Sequence, residues 1–207
     1  MKKICIIQTG MGSSSELLSL CAEIIPEASV SQIIDDGILK EILAVGRLTP
    51  AIGRRMYAYC QQAQAAGADV ILFPCVAASG LAEQIQPFLD IPIVRIDEGM
   101  VRQALRMGGR LAVFGTAPLA LEQSVCLLEK RAAETGHKLM LTPFLLKNAR
   151  ETLRSVAEQA CIGHDLLLLA QPSMTALSPL LEGLSKPVLH CTRSGIEYLK
   201  EYLSETR

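Results

Sequence analysis

Short apolar runs, each ending at Gly, Ser, Pro or Asp or soon followed by one, alternate with stretches of helical period along the whole chain. Such runs mark parallel strands covered on both faces. They predict strands at Ile4–Gln8, Ser29–Ile34, Val70–Phe73, Ile93–Ile96, Leu111–Phe114, Leu139–Thr142, Leu166–Ala170 and Val188–His190. Helices fall between them. Ser13 or Ser14 is a candidate cap for a helix carrying Leu17, Leu18, Cys21 and Ile25, stopped by Pro26. Thr49 and Pro50 make a cap with proline at the first helical position, and Gly67 ends that helix. Further helices are expected at Glu98–Met107, from Pro118 to Gly136, at Asn148–Cys161 and at Ser194–Leu203. Asp35 and Asp36 read as turn and cap residues. Strand and helix alternate throughout, so the fold class is α/β with mostly parallel sheets flanked by helices.

The pattern occurs twice. GADVILFPCVAASGL from Gly67 aligns without a gap on GHDLLLLAQPSMTAL from Gly163. Each is followed by a helix and a proline-led strand, PIVRID at Pro92 and PVLHC at Pro187. RLAVFGTA at Arg110 likewise echoes KICIIQTG at Lys3. Two pseudo-symmetric lobes follow from this: residues 1–96, then a connecting helix over 97–109, a second lobe over 110–190, and a C-terminal helix over 191–207 that is a candidate to pack on the first lobe.

Composition narrows the function. Twenty Lys and Arg stand against 21 Asp and Glu, which gives no electrostatic reason for a nucleic-acid or acidic-membrane partner. Seven cysteines, odd in number, without CxxC spacing and without a secretion signal, read as reduced thiols of a cytoplasmic protein. His137, His164 and His190 share no ligand-like spacing, so a structural metal is not expected.

In open α/β sheets, ligands bind beyond the carboxyl ends of the strands. The residues offered there are Gln8, Thr9 and Gly10, Cys75, Val76 and Ala77, Gly115 and Thr116, and Gln171, Pro172 and Ser173. Cys75 and Gln171 are repeat mates. Cys75 stands at a strand end before a helix that Ser79 can cap, where backbone N–H groups and a helix dipole favour thiolate. Cys5, Cys21, Cys60 and Cys126 read as core residues. Arg54, Arg55 and the run Glu129–Lys130–Arg131 read as solvated helix faces.

These segments carry a resemblance to the aspartate/glutamate/hydantoin racemase superfamily that spans nearly the whole chain. FPCVAAS, with Cys75, resembles the family's first cysteine motif, usually Cys-Asn-Thr; LLLLAQPSM resembles the second, usually Gly-Cys-Thr-His. IIQTGMG and FGT, ending at Thr116, resemble the turns after the first and fifth strands. The resemblance implies an inter-lobe active site, no metal or pyridoxal phosphate, a small carboxylate or hydantoin-like substrate, and a homodimer. It also implies two cysteines flanking the substrate α-carbon. Here Gln171 replaces the second, Val76 and Ala77 replace Asn and Thr, and Pro172 and Ser173 replace Thr and His. An amide is no base at neutral pH, so two-cysteine racemisation cannot operate as usually drawn.

The expected function is a racemase- or isomerase-like enzyme acting at the carbon α to a carboxylate or imide carbonyl. Cys75 serves as base or nucleophile, with Gln171 opposite it. Gln8, Thr9, Gly10, Val76, Ala77, Thr116 and Ser173 are the candidate substrate contacts, and His190 is a candidate second proton source. Two alternatives stay open: a one-sided decarboxylase or cis–trans isomerase of a small dicarboxylic acid, and a non-catalytic small-acid binding protein.

Overall fold

A computed structural model describes residues 1–205 and shows two four-stranded parallel sheets. The first contains β1 (Lys3–Gln8), β2 (Ser29–Ile34), β3 (Val70–Phe73) and β4 (Ile93–Arg95), in the order β2-β1-β3-β4. The second contains β5 (Arg110–Gly115), β6 (Met140–Leu145), β7 (Leu166–Leu169) and β8 (Val188–His190), in the order β6-β5-β7-β8. The continuous apolar runs are the inner strands, and Ile4, Ile6, Ile71, Leu72, Leu167 and Leu168 are fully buried. The edge strands β2 and β6, whose sequences mix polar and apolar residues, are half exposed.

One topology is therefore used twice, and its small parts match. The Lys3 N–H donates to the Asp69 carboxylate at 2.7 Å, and the Asp69 N–H returns to the Lys3 carbonyl at 2.8 Å. In the second lobe the Arg110 N–H donates to Asp165 at 3.1 Å, and the Asp165 N–H returns to Arg110 at 2.8 Å. The aspartates aligned by the repeat thus do one job, satisfying the first backbone group of each central strand.

Eight helices connect the strands: α1 (Ser14–Ile24), α2 (Asp36–Val45), α3 (Pro50–Ala65), α4 (Leu81–Ile85), α5 (Glu98–Met107), α6 (Pro118–Thr135), α7 (Ala149–Gly163) and α8 (Cys191–Glu205). The Thr49 hydroxyl accepts the Ile52 N–H at 3.2 Å and caps α3. Neither Ser13 nor Ser14 caps α1 through its side chain, because the Ser14 hydroxyl donates to Gln8 instead. Helix α2 was not among the expected helices, although the reading of Asp35 as a turn and cap residue fits it. Asp35 caps it by accepting the Gly37 N–H at 3.1 Å. Arg55, on a partly solvated face as expected, pairs there with Asp35 and Glu41, and exposed Lys130 pairs with Glu83. Arg131 departs from that reading, since it turns inward to the buried Glu98. Cys126 is exposed rather than part of the core.

The helix that follows the last strand of each lobe crosses to the other. Helix α5 packs against α6, β7 and β8, and α8 packs against α1. The two helices meet each other where Gly99 faces Ser194 and Gly195 faces Ile96. A Cβ at Gly99 would lie 2.0 Å from the Ser194 carbonyl oxygen; at Gly195 it would lie 2.1 Å from that of Ile96. Around this crossing, one apolar core runs without a break from Ile4 and Ile71 to Leu111 and Leu168.

Both obstacles at the crossing are backbone atoms, which cannot rotate aside. Gly195→Ala is expected to cost about 3 kcal/mol or more in urea-induced unfolding. Gly163→Ala, at a helical position with nothing within 4 Å of the new methyl, should instead stabilise by about 0.5–1 kcal/mol. A neutral Gly195→Ala would show that the helices slide freely.

Candidate active site

The switch points in strand order lie between β1 and β3 in one lobe and between β5 and β7 in the other, and the strand ends there line one inter-lobe cavity of about 460 Å³. Gln8, Thr9, Gly10, Cys75, Val76, Ala77, Thr116, Gln171 and Ser173 all contribute to its wall. His190 does not line it: it ends the edge strand β8, level with Leu169, and its Nδ1 is buried without a partner. Leu39 and Leu43 of α2, with Ala117 just before α6 and Ala120 within it, line the cavity although the sequence reading did not place them there. The signal for the leucines was the second apolar stripe in Ile38-Leu39-x-x-Ile42-Leu43, hidden by the unrecognised helix.

Local sequence explains the two turns. Pro74 follows β3 and has no N–H to extend the ladder, so the chain leaves the sheet at Cys75. The Ala78 N–H then closes on the Cys75 carbonyl at 3.0 Å, forming a single 3₁₀ turn over Val76–Ala78. The Ser79 hydroxyl folds back onto the Val76 carbonyl at 2.8 Å and caps nothing. In the second lobe Ala170 stands where Pro74 does and the proline comes two residues later, at Pro172, from which 3₁₀ structure runs to Leu181.

The environment of Cys75 differs from the thiolate-favouring one expected from sequence. Burial pushes its pKa above the ordinary thiol value. Hydrogen bonds from the Thr9 hydroxyl and the Ala78 and Ala77 N–H groups pull the other way and do not win. The physical reason is the short turn: a single 3₁₀ turn and the five-residue α4 follow Cys75, so no long helix dipole offsets desolvation. The resting group is a neutral thiol whose conjugate thiolate is a strong base.

The repeat mate shares the threonine donor, but its backbone donors come from the threonine's turn rather than its own. Gln171 Oε1 accepts the Thr116 N–H at 2.6 Å, the Thr116 hydroxyl at 3.1 Å and the Ala117 N–H at 3.3 Å. Thr116 and Thr9 are aligned by the repeat, so each lobe aims a threonine at its motif residue. With its oxygen committed, the Gln171 side chain has its NH₂ left to offer. Gln8 provides a second carboxamide: it is 1% exposed, its oxygen accepts from Ser14 at 3.0 Å, and its Nε2 has no partner. A buried N–H donor without an acceptor in a cavity wall is a seat for a ligand oxygen.

No Asp, Glu, Lys, Arg or His side chain lines this cavity. Nor do three or more His, Cys, Asp or Glu come together in a metal-binding group among the described residues.

Alkylation should report this environment directly. At neutral pH iodoacetamide is expected to label exposed Cys126 before Cys75. Labelling of Cys75 should accelerate through the alkaline range, with its midpoint moved further up by Thr9→Val, which removes a stabilising donor. Peptide mapping that finds Cys75 the fastest thiol at neutral pH would contradict the dominance of burial.

Among curated proteins, no sequence matches the chain. Solved structures do. The glutamate racemase of Aquifex pyrophilus superposes with a TM-score of 0.72 at 18% identity, over 97% of this chain and 83% of that one. An aspartate racemase homologue from Pyrococcus horikoshii gives 0.70 at 18% identity, over 99% and 100%. The allantoin racemase of Klebsiella pneumoniae gives 0.67 at 14% identity, over 100% and 89%. These likenesses establish the two-lobe fold. The family model described as Asp/Glu/Hydantoin racemase matches residues 15–136, more than half of the chain, which therefore belongs to the Asp/Glu/hydantoin racemase family, a family of isomerases.

Proposed function

We propose that this enzyme moves a proton at the carbon next to an imide carbonyl of a small, uncharged ring of the hydantoin type, and that Cys75 carries the proton on one face. The observation behind this reading is a cavity with one thiol, two carboxamides and no charged side chain. A zwitterionic amino acid brings an ammonium group that needs a carboxylate partner, and aspartate or glutamate adds a second carboxylate that needs donors or a cation. Confining such charges unpaired costs several kcal/mol each. An imide ring presents neutral N–H and C=O groups instead. The free NH₂ groups of Gln8 and Gln171 and the hydroxyls of Thr9 and Ser173 are suited to those. That an allantoin racemase shares the fold is consistent with a ureide substrate.

The chemistry follows from the thiol. Thiolate at Cys75 takes the α-proton, and the resulting enolate oxygen is held by neutral donors aimed from the strand ends. The same thiol then returns a proton. With no base at Gln171, protonation occurs on the face that Cys75 serves, so solvent exchange outpaces inversion. The raised pKa favours a second reading as well. A neutral thiol is suited to protonate the enolate left by decarboxylation of a substituted malonate, and pH separates the two. A rate that needs thiolate rises as pH approaches the raised pKa of Cys75; a rate that needs thiol is flat at neutrality and falls above it.

Racemic and single-enantiomer 5-methylhydantoin in deuterated water provide the test. Wild type is expected to exchange the C5 proton faster than it inverts the centre, and Cys75→Ala to lose exchange by at least about 10²-fold. Gln171→Cys should place a thiol among the Thr116 and Ala117 donors, which favour its ionised form, and raise inversion by about 10²–10⁴-fold. Exchange of free glutamate but of no hydantoin would sink the neutral-ring reading, and unchanged exchange in Cys75→Ala would remove the thiol from the mechanism.

A further inference from the structure

Helix α2 carries more leucine than the core requires. Ile38 and Ile42, spaced i and i+4, are fully buried and satisfy the sheet beneath them. Leu39 and Leu43 form a second stripe at the same spacing, turned to the cavity that Cys75 lines. Leu43 is 61% exposed. Ala117, just before α6, and Ala120, in its first turn, line the same cavity, so the residues there are small and leave room beside the leucines.

The stripe is held rigidly. Asp35, at the head of α2, accepts from Arg55 and from the Tyr59 hydroxyl at 2.6 Å, and Arg55 also reaches Glu41 on the next turn at 3.1 Å. Backbone bonds tie the same helix to the reacting turn: the Asp35 N–H donates to the Gln8 carbonyl at 2.9 Å and the Leu39 N–H to that of Thr9 at 3.3 Å. A Cβ at Gly10 would come into ordinary van der Waals contact with Leu39, at 3.4 Å. An apolar wall anchored to the residues that contact the thiol is preorganised for a group attached to the reacting carbon.

We propose that Leu39 and Leu43 form a specificity subsite that takes an unbranched apolar substituent on the carbon next to the carbonyl, and that α2 is the substrate-selecting element of the enzyme. This deepens the neutral-ring reading and rests on it for the choice of probe. The partner is continuous with the site, as the leucines share one cavity with Cys75.

Calorimetric titration of wild type with racemic 5-methyl-, 5-ethyl-, 5-propyl- and 5-butylhydantoin measures the subsite without interference from turnover. Affinity should rise about two- to fourfold per added methylene. Leu43→Ser, at an exposed position where a polar side chain is tolerated, should flatten that gradient to less than twofold per methylene. Leu43→Phe should move the best substituent to a shorter chain. A flat wild-type series, the same gradient in Leu43→Ser, or a change of oligomeric state in Leu43→Ser without any change in the series would each overturn the subsite. The two readings fail separately: a steep gradient without exchange of the C5 proton keeps the subsite and removes the reaction, and exchange with a flat gradient does the reverse. Absence of binding by all four compounds would overturn both.

Discussion

The contact on which this molecule depends is made by two residues without side chains. Helices α5 and α8 each leave the lobe that precedes them and rest on the other, and they cross where Gly99 and Gly195 let backbone touch backbone. Close approach gains dispersion contact along both helices, and it brings the Glu98 carboxylate within reach of Arg131 of the second lobe. The Arg95 guanidinium, held by Asp97, bonds the Gln123 carbonyl across the same seam at 3.1 Å. These ties fix the distance between the two sets of strand ends, which is the width of the cavity. One face of each sheet is buried in this shared core, while the other face of the second sheet packs in a cluster of its own around Phe114 and Leu153.

Within that frame the electrostatics of the two motif positions part company. Both turns aim a threonine and backbone N–H groups at the residue after the strand. At Cys75 these donors work against desolvation and lose, leaving a thiol that is a scarce but strong base when ionised. At Gln171 the same kind of donors meet a neutral oxygen and are satisfied outright. Symmetry of the backbone thus carries an asymmetry of side chains, an ionisable thiol in one lobe and a neutral amide in the other.

Much of this was legible in the sequence because it rested on local rules. Strand ends, the Thr49 cap and the two halves follow from apolar runs, capping chemistry and a gapless alignment, each readable over a few residues. Helix α2 escaped because Asp35-Asp36-Gly37 has the composition of a turn; Arg55 and Tyr59, remote in sequence, hold it as a cap. Ser79 escaped for the converse reason, since a hydroxyl that fits a cap bonds a nearer carbonyl. Arg131 and Cys126 show that the side on which a helical residue emerges depends on the neighbour opposite, which periodicity alone does not supply. The raised pKa of Cys75 is of this kind too, as burial is a property of the assembled fold.

The three hydrogen bonds that Gln171 accepts bear on how such a protein arises. A side chain lost from a working site commonly leaves unpaired groups behind, and the fold suffers for the change. Here Gln171 satisfies the donors that surround its oxygen, so the turn of the second lobe closes without an ionisable group. Two turns of equivalent backbone can therefore carry different side chains, and a change of residue in one need not loosen the frame that holds the other.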